Sequence, residues 1–268
     1  MSTPATTLAN VVEILERLRA RRPLVHCLTN QVVKGFTANV LLALGAAPAM
    51  VEHPDEAGQF AGIADALLVN VGTLDEAQMA AIRVAMPAAN AAQRPWVFDP
   101  VAVGPLGVRT RFASDVLAHR PTVIRGNASE VMALAGLAGG GRGVDSGAES
   151  TVAREAARTL ARQTGGAVLV TGQTDYAIDS AREVAAANGH ILMTRVTGVG
   201  CAMGAINAAC LAVADSPLAA CVATAVLLGL AGERAAAVAA RPGSFAVALL
   251  DALDALDADT VRAHGRIC

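Results

Sequence analysis

The sequence predicts an α/β fold: a three-layer α/β/α arrangement around a mostly parallel central sheet, with antiparallel strands at one edge and a helical C-terminal part. Three observations carry this. Short apolar runs alternate with amphipathic stretches of helical length, the pattern of successive βαβ units. The short runs are unbroken, without polar alternation, which suits a sheet covered on both faces. From Cys201 to about Leu256 the chain reads as nearly continuous helix.

The expected strands are LVHCLT (24–29), PAMV (48–51), ALLVN (66–70), WVFDP (96–100), TVIRG (122–126) and AVLVTG (167–172). Between them lie helical patterns such as QVVKGFTANVLLAL, LDEAQMAAIRVAMPAANAA and ESTVAREAARTLARQ. The section YAIDSAREVAAANGHILMTR (176–195) differs, with short strands and turns at Asp179-Ser180 and Asn188-Gly189. It reads as an antiparallel insertion at a sheet edge. The glycine-rich stretch GLAGGGRGVDSG (136–147) has the same α/β alternation on both sides, so it reads as a loop within one domain spanning 1–268.

Hydrophobic residues make up 54% of the 268 and charged residues 16%, ample material for a large core. Aromatics are only 3%, which argues against base stacking, and the net charge of −2 gives no attraction to nucleic acid or an anionic membrane. The five cysteines (Cys27, Cys201, Cys210, Cys221, Cys268) form no CxxC pair and are odd in number. They match neither a disulfide framework nor zinc spacing, so a reducing cytoplasm is expected. The N-terminus lacks the basic and apolar regions of a signal peptide. The most membrane-like stretch, PLAACVATAVLLGLAG, falls short of the ~20 residues of a span and is expected to be a buried helix.

In such a sheet, ligands gather at the carboxyl ends of the strands. Those ends read HCLTN (26–30), then Met50 and Glu52, then DPVAVG (99–104), RGNASE (125–130) and VTG (170–172), with the turn VTGVGC (196–201) after the insertion. Asp99 stands where Pro100 stops a strand, so its carboxylate can hold Mg²⁺, hold a proton, or cap the turn. Arg125 can clamp phosphate oxygens, and Glu130 can hold Mg²⁺ directly or through water. Asn127 and Glu130 equally form a capping box, which needs no ligand. His26 and Cys27 on the first strand read as pocket lining or core; Cys210 and Cys221 read as core.

The turn VTGVGCAMG fails the dinucleotide fingerprint in spacing, position and context, and no GxxxxGK[ST] loop occurs. Gly198 and Gly200 before a helix leave two readings, an anion hole or close helix–sheet packing. Cys201, in the first turn, is expected to have its thiolate favoured by the helix dipole, as a weak general base or a small filler.

As a set, these blocks resemble the ribokinase-like fold and, within it, the hydroxyethylthiazole kinase family. PLVHCLTN, FTANVLLALGAAPAMVEHPDE, LLVNVGTL, FDPVAVG, RGNASE and VTGVGC match that family's blocks in order, and RPGSF resembles its GPGSF with arginine in first place. The resemblance runs from about Leu8 to Leu256. It implies ATP-dependent phosphorylation of 4-methyl-5-(2-hydroxyethyl)thiazole, with Mg²⁺, in thiamine salvage. By position, it implies ATP contacts at Arg125, Thr171 and Asn127, Mg²⁺ at Asp99 and Glu130, and thiazole contacts at Met50, Gly198 and Asn30. Gly198 to Cys201, with Gly200, would form the anion hole beside Arg125. Cys201 stands where related sugar and pyrimidine kinases carry an aspartate base. The family also implies a homotrimer with active sites at subunit interfaces.

Three other readings stay open at this point. One is a kinase for hydroxymethylpyrimidine or pyridoxal, against which HCLTN and PAMVEHPDE speak. Another is an ATP-dependent nicotinamide-hydrate dehydratase, against which Cys201 speaks, and the third is a non-catalytic nucleotide-binding protein.

Overall fold

A computed structural model of the chain describes residues 6–137 and 146–268. Most of the glycine-rich stretch read as a loop lies outside the described residues. Six strands run parallel: β1 (Leu24–Leu28), β2 (Ala47–Ala49), β3 (Ala66–Asn70), β4 (Trp96–Asp99), β5 (Val123–Asn127) and β6 (Ala167–Thr171). β7 (Asp175–Ile178) and β8 (Glu183–Ala186) follow antiparallel at one edge. The strand order is β2-β1-β3-β4-β5-β6-β7-β8, so the chain reverses direction across the sheet at β1.

The helices are α1 (Leu8–Arg21), α2 (Lys34–Leu44), α3 (Pro54–Ile63), α4 (Glu76–Ala91), α5 (Gly107–Ala118), α6 (Ala128–Leu134), α7 (Ser146–Thr164), α8 (Val199–Leu211), α9 (Pro217–Val238), α10 (Pro242–Asp254) and α11 (Ala258–His264). Side chains of alternate strand residues separate the two faces. Val25, Cys27, Leu68, Val97 and Leu169 join α1, α2, α8, α9 and α10 in one apolar cluster. Leu67, Val69, Trp96 and Phe98 meet α3, α4 and α5, while Ile124, Val168 and Val170 meet α6 and α7. Both faces are thus dry, which is why the strands carry no polar alternation. Each large apolar side chain buried this way contributes about 1.5–3 kcal/mol.

α9 is long and apolar enough to cross a membrane, but most of it is buried inside the molecule. Ser216 caps its first turn and Pro217 occupies the first helical position, where the missing N–H costs nothing.

One expectation is corrected. The turn at Asn188-Gly189 does not lead into another strand. Gly189 takes φ +146°, and the chain enters a 3₁₀ helix, Ile191–Arg195, whose start His190 caps through Nδ1. The apolar letters of HILM belong to one tight turn. The carboxyl ends of β1, β3 and β4 and the Arg125 side chain of β5 meet the first turns of α8, and Thr171 of β6 joins them through Arg125.

Candidate active site

Register brings the polar residues together. The carboxyl end of β3 sets Asn70 opposite Asp99 of β4, and β5 sets Asn127 opposite Thr171 of β6. Asp99 is fully buried, and Pro100 behind it ends the ladder. Its Oδ2 accepts from Asn70 Nδ2 at 2.8 Å and lies 3.6 Å from Arg125 Nη1. Oδ1 is buried with no hydrogen-bond partner. Burial pushes the Asp99 carboxyl up to about 7; the nearby Arg125 charge opposes this and the Glu130 charge adds to it.

Arg125 reaches sideways as well, Nη2 donating to Thr171 Oγ1 at 3.1 Å. The guanidinium therefore spans β4 to β6 in a fixed orientation. A Cβ on Gly200 would stand 3.4 Å from Arg125 Nη2, and one on Gly204 would stand 3.4 Å from Asp99 Oδ2. The glycines of α8 let the helix lie directly on this ion pair.

Gly198 is the N-cap of α8, at φ +98°, where a side chain would press on Val33 and Phe36. The first intrahelical bond runs from Ala202 N–H to the Gly198 carbonyl at 2.7 Å. The amides of Val199, Gly200 and Cys201 lie ahead of it, in the positions that no intrahelical carbonyl reaches. Gly200 is thus part of the helix, one position inside the turn expected to precede it.

On the other side of Asp99, Asn70 Oδ1 accepts from Asn30 Nδ2 at 3.0 Å and from Gly72 N–H at 3.0 Å. Asn30 Nδ2 also donates to Cys201 Sγ at 3.3 Å. The chain Cys201–Asn30–Asn70–Asp99–Arg125–Thr171 is continuous. Burial, reinforced by the Asp99 charge, pushes the Cys201 thiol up from its ordinary value. This direction is opposite to the dipole-favoured thiolate expected from the sequence.

Asn127 and Glu130 do form the capping box of α6, Asn127 Oδ1 accepting from Glu130 N–H and Glu130 Oε2 from Asn127 N–H, each at 3.0 Å. Glu130 Oε1 accepts from Ala102 N–H at 2.9 Å, pinning the turn after β4. Both carboxylate oxygens are thus partly engaged, which suits a contact to a cation through water. The orphaned Asp99 Oδ1 suits a direct one. Among the described residues no three His, Cys, Asp or Glu side chains gather as a metal shell.

Met50 stands apart from the polar chain, partly buried against the apolar cluster that includes α8. Beside it Glu52 pairs with Lys34, and His53 caps α3 by accepting from Asp55 N–H. His26 is a core histidine: buried, 2.7 Å from the Val51 carbonyl through Nε2, edge-on to Phe60, and pushed down in pKa by burial. Cys27, Cys210 and Cys221 are core thiols, each pushed up to about 12 by burial.

A cavity of about 700 Å³ is lined by Arg125, Thr171 and Gly200 of this cluster and by the segment of Asn188, Gly189, His190, Ile191, Met193 and Thr194. Two site residues escaped the sequence reading. Asn70 lies within the block LLVNVGTL at the end of an apolar strand, and what singles it out is its register against Asp99. Asp175 lines the cavity and accepts from Gly172 N–H at 3.0 Å; burial pushes its carboxyl up to about 6.

A mostly parallel eight-stranded sheet with an antiparallel edge, reversed at β1 and flanked by helices on both faces, places the fold in the ribokinase-like class. A ribokinase-like superfamily protein from Enterococcus faecalis superposes with a TM-score of 0.63 at 14% identity, covering 94% of this chain and 90% of that one. Hydroxyethylthiazole kinase family sequences match residues 15–259, and the chain belongs to that family. A hydroxyethylthiazole kinase from Kineococcus radiotolerans is 57% identical over 92% of this chain and 90% of its own. The structure of a hydroxyethylthiazole kinase protein from Pyrococcus horikoshii superposes with a TM-score of 0.89 at 39% identity, covering 96% and 98% of the two chains.

Proposed function

We propose that residues 1–268 act as one kinase domain that transfers the γ-phosphoryl of ATP to the hydroxyl of 4-methyl-5-(2-hydroxyethyl)thiazole, the salvage step toward thiamine. The observation that carries this is the meeting of Arg125, Thr171 and the first residues of α8, Val199 and Gly200, in one cavity, with the buried Asp99 directly behind Arg125, in a chain of this family.

The residues divide the work. Arg125, held by Thr171 and Asp99, binds phosphate oxygens and offsets charge as the bond to the leaving ADP loosens. Thr171 and Asn127 border the ATP side, and the amides of Gly200 and its neighbours cradle the phosphoryl group in transit. Asp99, directly, and Glu130, through water, are the residues that would hold Mg²⁺. When bound, Mg²⁺ supplies charge neutralisation across the phosphates. Asn30, Gly198 and Met50 flank the thiazole side.

Cys201 keeps its proton, so the alcohol is not deprotonated by Sγ. A loose transition state needs positioning more than early proton removal. Cys201→Ala is accordingly expected to retain kcat within about tenfold, less than a working general base contributes. An inert alanine variant, with Cys201→Asp no better, would overturn this role.

The exposed Val32 beside Asn30 is consistent with a subunit interface there, as the homotrimer implied by the family requires. Free cysteines among the described residues accord with a cytoplasmic setting. A coupled assay of ATP turnover tests the substrate. The thiazole alcohol is expected to exceed hydroxymethylpyrimidine and pyridoxal in kcat/KM by at least about 100-fold. ATP consumption dependent only on hydrated NADH would replace the proposal with a dehydratase.

A further inference from the structure

Asn188-Gly189 closes the antiparallel edge and begins the cavity wall that runs on through His190, Ile191, Met193 and Thr194. We propose that Glu233 of α9 and Arg266 of the C-terminal segment are positioning residues, which pre-order the wall for the base-and-ribose end of the nucleotide. This rests on the reading that the cavity takes ATP with its phosphates at Arg125.

Glu233 is the hub. Its carboxylate accepts from Gly189 N–H at 2.8 Å and from Asn188 Nδ2 at 3.2 and 3.3 Å, and it pairs with the Arg266 guanidinium. Arg266 also ties down the approach to the wall, Nη2 donating to the Ala187 carbonyl at 2.8 Å. Its own amide donates to Asn188 Oδ1 at 2.7 Å, while Asn188 Nδ2 donates to the His264 carbonyl at 3.0 Å. Both polar atoms of the Asn188 side chain are thereby committed.

The backbone repeats the arrangement. Residues 266–268 lie antiparallel along β8: Ala187 N–H bonds the Arg266 carbonyl at 3.0 Å, and Ala185 and Cys268 exchange bonds at 3.0 and 2.9 Å. The wall also sits directly on α9, since a Cβ on Gly229 would stand 2.5 Å from the Asn188 carbonyl oxygen. Glu233 stands near the end of a helix whose buried side chains are nearly all apolar, and its own side chain is partly buried, with 24% exposed. No contact of Glu233 or Arg266 reaches Arg125, Asp99 or the α8 amides.

A pre-ordered wall spares the ordering cost at binding, and the gain is the same in the ground and transition states. The signature is therefore a change in nucleotide affinity at constant kcat. The experiment measures steady-state kinetics for ATP and the thiazole alcohol, with calorimetric titration of ADP, on the full-length protein. Arg266→Ala is expected to raise KM for ATP and Kd for ADP about threefold, and Glu233→Ala about tenfold, the scale of one charged hydrogen bond. KM for the thiazole alcohol and kcat stay within about twofold.

Arg125→Ala is the control. Weaker ADP binding in Arg125→Ala with unchanged binding in both other variants overturns the inference and leaves the cavity reading standing. Unchanged ADP binding in all three overturns both. A fall in kcat at constant ADP affinity makes Glu233 merely structural and also overturns the inference. If Glu233→Ala does not fold, the exposed Arg266→Ala carries the test alone.

Discussion

Arg125→Ala is expected to lower kcat/KM by about three orders of magnitude while the folded protein persists, the size of effect that a phosphate-facing arginine has in phosphoryl transfer. The guanidinium is the bridge between Thr171 and Asp99, with 11% of its side chain exposed, and its orientation is set before any ligand arrives. Removing it does not strand a full charge, because the Asp99 carboxyl is already pushed up by burial and loses its main opposing influence. Asp99 then holds its proton and the fold tolerates the loss. Arg125→Lys restores charge but not the two-pronged reach, so at most about tenfold of the lost activity returns. Circular dichroism and steady-state kinetics at saturating ATP check both. A loss below tenfold in the alanine variant would place the phosphates elsewhere.

Asp99→Asn carries the second large effect, and it runs in two directions. Activity falls by at least about 100-fold, because the carboxylate charge proposed to hold Mg²⁺ is gone. Stability rises in a pH-dependent way. The folded carboxyl titrates near 7 and the unfolded one near 3.8, so between those values the folded chain holds a proton that the unfolded chain has released. Stability of the parent therefore declines as pH rises through that window, and asparagine is free of this decline. The advantage of Asp99→Asn is expected to be smallest at pH 4, to grow to on the order of 3 kcal/mol near pH 7, and to level off above it. Chemical denaturation of both proteins across pH 4–8 measures the difference. An advantage that shrinks with rising pH would show that Asp99 is ionised more easily in the fold than in the open chain.

The fold was largely legible because its strands are apolar on both faces, and a sheet covered twice leaves that mark in sequence. Boundaries moved by a residue where chemistry intervened, as at Asp99-Pro100. HILM misled because an apolar run of four cannot say whether it pairs or turns, and the turn is settled by Glu233 forty-odd positions away. Arg125, Asp99, Glu130 and the α8 glycines were readable as a cluster, since each sits at a strand or helix end. Asn70 was not, because register alone makes it a neighbour of Asp99 and Asn30. The upward push on the Cys201 thiol was likewise hidden: a helix start is a local property, whereas the burial and the carboxylate that raise the thiol come from distant parts of the chain.

Glu130 answers to two demands at once. It closes the capping box of α6, pins Ala102, and is the acid proposed to reach Mg²⁺ through water. In a descendant that had lost its substrate, selection for the helix alone would keep Asn127 and Glu130 in place. Arg125, which serves no cap, would be free to drift. Among diverged relatives, the surviving N-x-x-E would therefore record ancestry, and the arginine two residues before it would record whether the enzyme still works.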